Sequence, residues 1–349
     1  MTTGLAGRTA SGRVGFVANP ASGKDVRRLV ARASVFNNQE KRAILRRAMV
    51  GAITAGATEF LLVPDSHGIS ASAAEEFGTQ VKVTLLDGPQ TGSVIDTVRG
   101  ARALRELDCG AVITLGGDGT NRAFVSGWPD VTLMPISTGT NTVFPRLVEG
   151  TVAGAAAGLI ATGRVPHELA VTRVKAVRVR IPDQADDLAL IDAAVVDGEF
   201  IGARALWEAG RLRLALLTRA EPASVGVSSI GGLLSPITDT DDAGLLLLLG
   251  DTSGHGEGAV SVMAPIAPGS YSPVQVGAHR RLALGEEIEV QGPCVLAFDG
   301  ERERVLRAGQ SAFLRVERDG PFVIDATRAL NVAAARGLFT QQSGGSDAR

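Results

Sequence analysis

The chain has 349 residues, of which 45% are hydrophobic, 21% are charged and only 4% are aromatic, and its formal net charge at pH 7 is −2. This length favours two domains, and the apolar content suffices for packed cores, which excludes general disorder. The balanced charge argues against a strongly basic nucleic-acid-binding protein, so we expect no nucleic-acid partner.

Signals for export, membrane insertion and metal binding by cysteine are missing from the sequence. Residues 1–13 contain no apolar core of a secretory signal, and aliphatic runs such as 245–249 are far shorter than the ~20 residues of a membrane span. Cys109 and Cys294 are far apart and belong to no CxxC spacing, so neither a disulfide framework nor a zinc site is expected. We therefore expect a cytoplasmic protein without a membrane partner.

The first half of the chain alternates apolar strands with helices. Apolar runs predict strands, and apolar residues at helical spacing predict the helices between them. The predicted strands are 13–18, 59–64, 81–86, 111–115 and 131–136, and the predicted helices are 39–55, 93–107 and 151–162. This order is typical of a Rossmann-like α/β domain with a parallel sheet covered by helices, which we assign to residues 1–165.

The pattern changes after residue 165. Residues 172–181 alternate apolar and charged side chains, as in a half-exposed antiparallel strand. Further short strands, separated by Gly, Pro and Asp, are predicted at 190–196, 211–217, 244–249, 259–264, 287–290, 295–298 and 312–316. We therefore predict an all-β second domain over 166–324, then a last segment, 325–349, with a helix over 325–338 and a disordered polar tail.

The strongest motif is Gly116-Gly117-Asp118-Gly119-Thr120, directly after the predicted strand 111–115. Glycines at the end of a buried strand allow backbone N–H groups to approach a phosphate. A carboxylate is unfavourable there unless it binds a metal or takes a proton from a hydroxyl, which makes Asp118 the candidate catalytic residue. An ordinary Gly-Asp-Gly turn is the alternative.

Another candidate loop follows the first predicted strand. It resembles a phosphate-binding loop, but it lacks the leading glycine of a Walker A motif, and Asp25 stands where Ser or Thr would hold magnesium. A plain turn is an equally good interpretation. The candidate phosphate-binding residues of this loop are Asn19, Ser22, Gly23 and Lys24.

A third loop follows the predicted strand 131–136 and is rich in small hydroxyl and amide side chains. Such donors suit hydrogen bonding to ribose or phosphate, although a capped loop entering a helix has the same composition. Its candidate substrate-binding residues are Thr138, Gly139, Thr140 and Asn141. Because loops at the carboxyl ends of neighbouring parallel strands converge, we expect the three loops to form one site.

Together these motifs resemble the superfamily of NAD kinases and diacylglycerol-type lipid kinases. Segments 264–269 and 272–274 are similar to the "PIAPHS…RP" segment of NAD kinases, and 298–301 with 306–309 to their later hairpin. The acetoin-catabolism protein X branch is more similar still, through NPASGKDVRRLVARASVFNNQEK, GGDGTNRAF, STGTN-x-VFP and GARALWE.

This resemblance implies a two-domain kinase whose terminal helix packs back on the first domain. It implies that Asp118 acts as general base toward the 2′-hydroxyl of the adenosine ribose of NAD, with ATP as donor and Mg²⁺ arriving with ATP. It further implies a homo-oligomer, a dimer or tetramer. By the same resemblance, the phosphate-binding residues of the glycine motif are Gly116, Gly117, Gly119, Thr120 and Asn121.

Two features leave alternatives open. Asp299 and Glu301 resemble a DGE of the lipid-kinase branch and are weak metal candidates, with an Asp-Gly hairpin turn as the other interpretation. The Asn-Glu pair with which NAD kinases hold their substrate is not evident, and its place falls near 191–194 or 196–199. A kinase of another small molecule or of a lipid, or a non-catalytic nucleotide sensor, therefore stands beside NAD kinase.

Overall fold

The computed structural model describes residues 10–23, 37–139, 142–197, 211–250, 259–300 and 302–340. Its helices are α1 (Asn38–Thr54), α2 (Ile69–Ala74), α3 (Val94–Glu106), α4 (Asp118–Gly127), α5 (Gly150–Ala161), α6 (His167–Ala170), α7 (Val227–Leu234) and α8 (Ala326–Ala335). Its first nine strands are β1 (Arg13–Ala18), β2 (Glu59–Leu62), β3 (Lys82–Leu85), β4 (Ala111–Gly116), β5 (Thr132–Ser137), β6 (Val171–Arg173), β7 (Ala176–Arg180), β8 (Asp187–Ala189) and β9 (Asp192–Val196). The others are β10 (Leu212–Leu217), β11 (Ala243–Leu249), β12 (Val260–Ala267), β13 (Ser270–Ala283), β14 (Glu287–Gln291), β15 (Cys294–Phe298), β16 (Arg302–Leu306), β17 (Ser311–Glu317) and β18 (Phe322–Ile324).

The first sheet is the predicted parallel α/β sheet. Its strand order is β3-β2-β1-β4-β5-β18-β6, and all neighbours are parallel except β18 and β6. Strands β1, β4 and β5 are buried almost throughout, because helices cover both faces of the sheet. One core includes residues of α1, α5 and α8, and the other includes residues of α3 and α4. The α/β class predicted for this part of the chain is confirmed.

Helices α1 and α5 pack unusually close together, which accounts for part of the glycine content of the chain. The sequence has 43 glycines in 349 residues, nearly twice the ordinary ~7%. A Cβ atom on Gly154 would lie 1.8 Å from the carbonyl oxygen of Ala48, and one on Gly51 would lie 2.1 Å from that of Thr151. Glycine is therefore required where the two helix backbones meet.

The β-rich part consists of two antiparallel sheets. Their strand orders are β12-β13-β11-β10-β9-β15-β16 and β14-β17-β7-β8. A shared core that includes Val177, Leu216, Phe298 and Leu314 lies between them. Helix α7 packs against β12 and was not predicted, because its sequence, VSSIGGLL, has too few polar residues to show a helical pattern. Strand β13 was also not predicted, because Pro273, Gly277 and the charged residues 279–281 interrupt its apolar pattern.

The prediction of a single strand over 172–181 is wrong. It divides into β6, which pairs with β18 in the first sheet, and β7, which pairs with β17 in the four-stranded sheet. The chain changes sheets at Val174 and Lys175, both buried. The alternation continues through this break, so the sequence pattern does not show it.

The ends of the β-rich segment therefore return to the first sheet. Strands β6 and β18 both lie within 166–324, and Phe322 pairs with Thr132 of β5. The domain boundaries 1–165, 166–324 and 325–349 stay a prediction.

Helix α8 follows β18 and packs against α5 and α6, where Ala329 and Ala333 are fully buried. The tail 341–349 lies outside the described residues. Among the helices that the structure describes, none has both the length and the apolar character needed to cross a bilayer.

Candidate functional site

Three loops meet at the carboxyl edge of the first sheet, as the sequence predicts for parallel strands. They follow β1, β4 and β5, and we call them the first, second and third loops in that order. The side-chain amide of Asn19 donates to Thr120 Oγ1 at 2.8 Å, and the hydroxyls of Ser22 and Thr138 lie 2.7 Å apart. The amide of Thr138 donates to the carbonyl oxygen of Gly116 at 3.2 Å. Direct hydrogen bonds thus join the three loops.

A cleft of about 770 Å³ opens over these loops. Eight of the candidate residues line it, namely Asn19, Ser22, Gly23, Gly117, Asp118, Gly119, Thr120 and Gly139. Asp299 lines it as well. Three others, Gly116, Asn121 and Thr138, are buried behind the cleft wall. Lys24, Thr140, Asn141 and Glu301 lie outside the described residues.

Asn121 supports the site from behind instead of facing the cleft. Its side chain is fully buried, its Oδ1 accepts from Thr114 Oγ1 at 2.7 Å, and its Nδ2 donates to the carbonyl oxygen of Gly117 at 2.8 Å. These bonds tie the start of α4 to β4. The side chain that the sequence offers as a phosphate ligand is thus used to shape the loop.

Asp118 is placed by the tight connection between β4 and α4. Gly117 is the N-cap of α4, and Asp118 begins the helix, where a negative charge is favoured by the helix dipole. A Cβ atom on Gly116 would lie 2.5 Å from Thr120, so the strand can enter the helix this sharply only with glycine at position 116. The geometry explains why the carboxylate stands at the floor of the cleft.

The carboxylate of Asp118 is held by two backbone amides of a neighbouring loop. Phe144 donates to Oδ1 at 2.9 Å, and Val143 donates to Oδ2 at 3.1 Å. Burial, and next the negative charge of Asp299, raise the pKa of Asp118 to about 7, although these N–H groups and Arg219 act in the opposite direction. The group can therefore gain and lose a proton near neutral pH.

Asp299 comes to the same place from the β-rich part, at the end of β15. Its carboxylate is buried and accepts the amides of Ile191 at 2.8 Å and Leu190 at 3.0 Å. Arg122 Nε lies 3.6 Å from its Oδ2. Burial raises the pKa of Asp299, and the charge of Arg122 opposes that rise. The side chain thus ties the end of β15 to the residues at the start of β9.

Binding of magnesium by Asp299 and Glu301 stays a prediction, because Glu301 lies outside the described residues. Within the described ranges, no group of three or more His, Cys, Asp or Glu side chains is arranged to hold a metal. Both oxygens of Asp299 already accept backbone N–H groups, and so do both oxygens of Asp118.

Asp192 is a third acidic side chain of this region, and the sequence did not mark it as a site residue. It begins β9 and is half-buried. Burial, and then the charges of Asp299 and Asp118, raise its pKa well above the ordinary value. Asp192 belongs to the stretch 191–194, which is one of the two places where the Asn-Glu pair of NAD kinases would fall. This correspondence is the signal by which the sequence could have identified it.

Lys41 is a further residue that sequence reasoning missed. It is fully buried, and its ammonium group donates to the carbonyl oxygens of Ser22 at 2.7 Å, Asn19 at 2.9 Å and Pro20 at 3.2 Å. Its position could have been noticed, because it precedes Ile44 and Leu45 on the apolar face of α1. A lysine on an apolar face needs buried acceptors, and the first loop supplies them.

The far wall of the cleft comes from the segment after β2 and the start of α3. It includes Asp65, Ser66, His67, Ser93 and Thr97. The carboxylate of Asp65 accepts the amides of Ile69 at 2.9 Å and Ser70 at 3.0 Å and so holds this segment in place. The sequence could have predicted this wall, because residues 65–67 follow a predicted parallel strand and must lie at the same sheet edge as the three loops.

Comparison with known families and relatives gives a consistent assignment. Residues 14–165 match the family model described as ATP-NAD kinase N-terminal domain. Residues 175–319 match the model described as Acetoin catabolism protein X C-terminal domain. Acetoin catabolism protein X of Cupriavidus necator is 37% identical over 302 residues, which cover 83% of this chain and 83% of that protein.

Solved structures resemble the chain at much lower identity. A Bacillus anthracis str. Sterne protein that carries the name diacylglycerol kinase is 12% identical, covers 91% of this chain and 98% of its own, and gives a TM-score of 0.50. Yeast NADH kinase complexed with NADH is 16% identical, with 97% and 89% covered and a TM-score of 0.49. At 12% identity, the likeness to the Bacillus anthracis structure concerns the fold alone.

The extent of the match to the Cupriavidus necator relative decides the family, and the two family models agree with it on either side of residue 170. The chain therefore belongs to the acetoin catabolism protein X branch of the ATP-NAD kinase superfamily and has an NAD kinase-like kinase fold.

Proposed function

We propose that this chain transfers the γ-phosphoryl group of ATP to the 2′-hydroxyl of the adenosine ribose of NAD, giving NADP. Membership of the family supports a phosphotransferase of the kinase type. The observation that carries the proposal is the placement of Asp118, whose carboxylate lies at the cleft floor, is oriented by Val143 and Phe144, and has a pKa of about 7.

The proposed chemistry needs one proton acceptor. Ionised Asp118 takes the proton of the 2′-hydroxyl while the ribose oxygen forms a bond to the γ-phosphorus. The bond from the γ-phosphorus to the β–γ bridging oxygen breaks, ADP leaves, and Asp118 later releases the proton to water. A base whose pKa lies near the working pH is effective, because it is ionised in much of the enzyme and still accepts the proton readily.

The loops around Asp118 offer neutral donors for the phosphates of the nucleotides. Asn19, Ser22 and Thr120 line the cleft together with glycines of all three loops. A Cβ atom on Gly139 would lie 3.2 Å from the Cα of Gly117, so two loops approach each other closely with bare backbone. Backbone N–H groups and hydroxyls can bind anions without a strong positive charge, in keeping with the net charge of −2. Magnesium bound to ATP would offset the charge of its phosphates.

The test is an assay of the full chain with ATP, Mg²⁺ and NAD, in which NADP is separated and quantified. We expect Asp118→Asn to lower kcat by roughly 10²- to 10⁴-fold, because the amide keeps an oxygen for the loop amides but cannot accept the proton. Asp325→Asn is the matched control, since Asp325 caps α8 away from the cleft. NADP formation at the wild-type rate by Asp118→Asn would contradict the role of Asp118.

The choice of acceptor is tested by the same assay with NADH and with vesicles containing diacylglycerol, following ADP release. Phosphorylation of another acceptor but not of NAD would keep the kinase chemistry and reject the proposed substrate. Nucleotide binding in calorimetry without turnover of any acceptor would favour a sensor.

We propose that ATP and NAD are the small-molecule partners and that the protein acts in the cytoplasm as a homo-oligomer. Light scattering of the purified chain tests this assembly, since a dimer or tetramer is expected and a monomer at micromolar concentration would contradict it.

A further inference from the structure

The loop that orients Asp118 is also held by the β-rich part of the chain. We call residues 142–146 the bridging loop. At its start, Val143 and Phe144 donate their amides to Asp118. At its end, the guanidinium of Arg146 donates to Glu221 Oε1 at 2.9 Å. The loop therefore connects the candidate base of the first sheet to the segment that follows β10.

Arg219 lies in the same segment and makes the second contact with the bridging loop. Its guanidinium carbon is 5.6 Å from the ring centroid of Phe144, within the range of a cation–π interaction. Its side chain is only 4% exposed. The same residue, Phe144, thus gives its amide to Asp118 and its ring to Arg219.

The environment of Arg219 is unusual for a purely structural arginine. Nη1 lies 3.1 Å from Asp239 and 3.5 Å from Glu221, but Nε is buried without a hydrogen-bond partner among the described residues. A buried N–H without a partner costs free energy, and such groups in native structures call for an explanation. Despite this cost, the guanidinium places a buried positive charge against the loop that holds Asp118.

We propose that Arg219 is a positioning residue, through which the β-rich part holds the bridging loop and sets the electrostatic environment of Asp118. This inference rests on the proposed role of Asp118 as general base. Among the residues that the structure describes, the charged groups that act on Asp118 are Asp192 of β9, Asp299 after β15 with its partner Arg122 of α4, and Arg219 after β10. Arg219 is the member of this set that lies against the bridging loop.

The sign of the effect follows from the charge. The positive charge of Arg219 lowers the pKa of Asp118, against burial and Asp299, which raise it. Loss of this charge should raise that pKa further and leave less of the base ionised below neutral pH. Asp239 partly neutralises the charge of Arg219. Loss of the Asp239 carboxylate should therefore lower the pKa of Asp118.

The experiment measures kcat/KM for NADP formation between pH 5.5 and 9.5 in the wild type and in Arg219→Gln, Arg219→Lys and Asp239→Asn. We expect the acidic limb of Arg219→Gln to move up by about one pH unit, with a several-fold loss at pH 6.5 that largely disappears at pH 9. Arg219→Lys should keep the limb near its wild-type position, and Asp239→Asn should move it down. A merely structural role would lower the rate equally at every pH and leave the limb in place, and that result would overturn the proposal.

A second readout does not depend on activity. In full-length protein labelled with ¹³C at the aspartate carboxyls, the signal of Asp118 is assigned by its loss in Asp118→Asn and titrated in each variant. A higher midpoint in Arg219→Gln and a lower one in Asp239→Asn support the inference, and identical midpoints overturn it. If the wild type forms no NADP, the proposed function fails, while this titration still decides the role of Arg219. Should Arg219→Gln not fold, Arg219→Lys and Asp239→Asn provide the same comparison.

Discussion

The ammonium group of Lys41 donates a hydrogen bond to the carbonyl oxygen of Ser22 at 2.7 Å, although Lys41 belongs to α1 and Ser22 to the first loop of the cleft. Two further carbonyl groups of the same loop accept from the same ammonium group. A fully buried cation is thus satisfied by backbone oxygens of residues 19–22. The shape of the first loop consequently depends on a side chain that does not line the cleft.

Replacement of Lys41 by methionine should loosen this loop. We expect the free energy of unfolding to fall by about 1–3 kcal/mol, because three partly buried carbonyl groups lose their donor. The KM for ATP should rise roughly tenfold, with a smaller change in kcat, since the proposed role of this loop is to bind phosphate and not to take part in proton transfer. Urea denaturation and steady-state kinetics measure both effects. Lys82→Met is the control, because Lys82 is 71% exposed and pairs with Glu59 at the surface. Equal losses in the two variants would contradict the role of Lys41.

The hydroxyl pair of Ser22 and Thr138 should couple the first and third loops. We expect Thr138→Val and Ser22→Ala each to destabilise the chain by about 1 kcal/mol, because the 2.7 Å hydrogen bond between them is lost. In a double-mutant cycle, the coupling free energy should be about 0.5–1.5 kcal/mol. Additive effects of the two substitutions in urea denaturation would show that the loops are held together by other contacts.

The raised pKa of Asp118 should appear in the pH dependence of stability. Its ordinary value is 3.8, and in the folded chain it is about 7. Between these values the folded state keeps a proton that the unfolded state has released, so this group lowers the free energy of unfolding as pH rises from about 4 to 7.

Asp118→Asn removes that penalty. We expect it to raise the free energy of unfolding by roughly 1–2 kcal/mol at pH 8 and to leave it unchanged at pH 4. This gain is smaller than the full pKa shift of Asp118 would give, because the side chain is only half-buried. Urea denaturation at pH 4, 6 and 8 measures the difference. Asp325→Asn makes the same change at the exposed start of α8, away from the cleft, and serves as the control. A gain independent of pH would contradict a raised pKa for Asp118.

The close contact between α1 and α5 predicts a large effect of one methyl group. In Gly154→Ala the new Cβ would lie 1.8 Å from the carbonyl oxygen of Ala48, so the helices must separate. We expect a loss of about 3 kcal/mol in the free energy of unfolding. Gly88→Ala is the control, since a Cβ there meets no atom within 4 Å and should change stability by less than about 0.5 kcal/mol. Thermal and urea denaturation test both variants.

Much of the first sheet follows from local sequence. The apolar runs at β1, β4 and β5 have no polar face, so each must be buried on both sides, and this requires a parallel sheet covered by helices. The Gly-Asp-Gly motif after β4 then lies at a sheet edge where neighbouring loops converge. For this reason the sequence alone predicts that Asn19, Asp118 and Thr138 lie close together, as they do in the structure.

Contacts between segments distant in the chain could be decided only by the tertiary structure. Strand β18 pairs with β5 across nearly two hundred residues, and β6 leaves the β-rich part to join it. No local pattern carries such pairings, because the alternation of 172–181 is the same whether one strand or two result.

The same distinction applies to Asp118, whose position and whose protonation have different origins. The position of Asp118 at the end of a buried strand is a local property, and the sequence by itself determined it. Its protonation depends on Asp299, Arg219 and the amide of Phe144, which reach it from other parts of the chain. Burial and charge act through space, so only the folded arrangement decides how this carboxylate behaves.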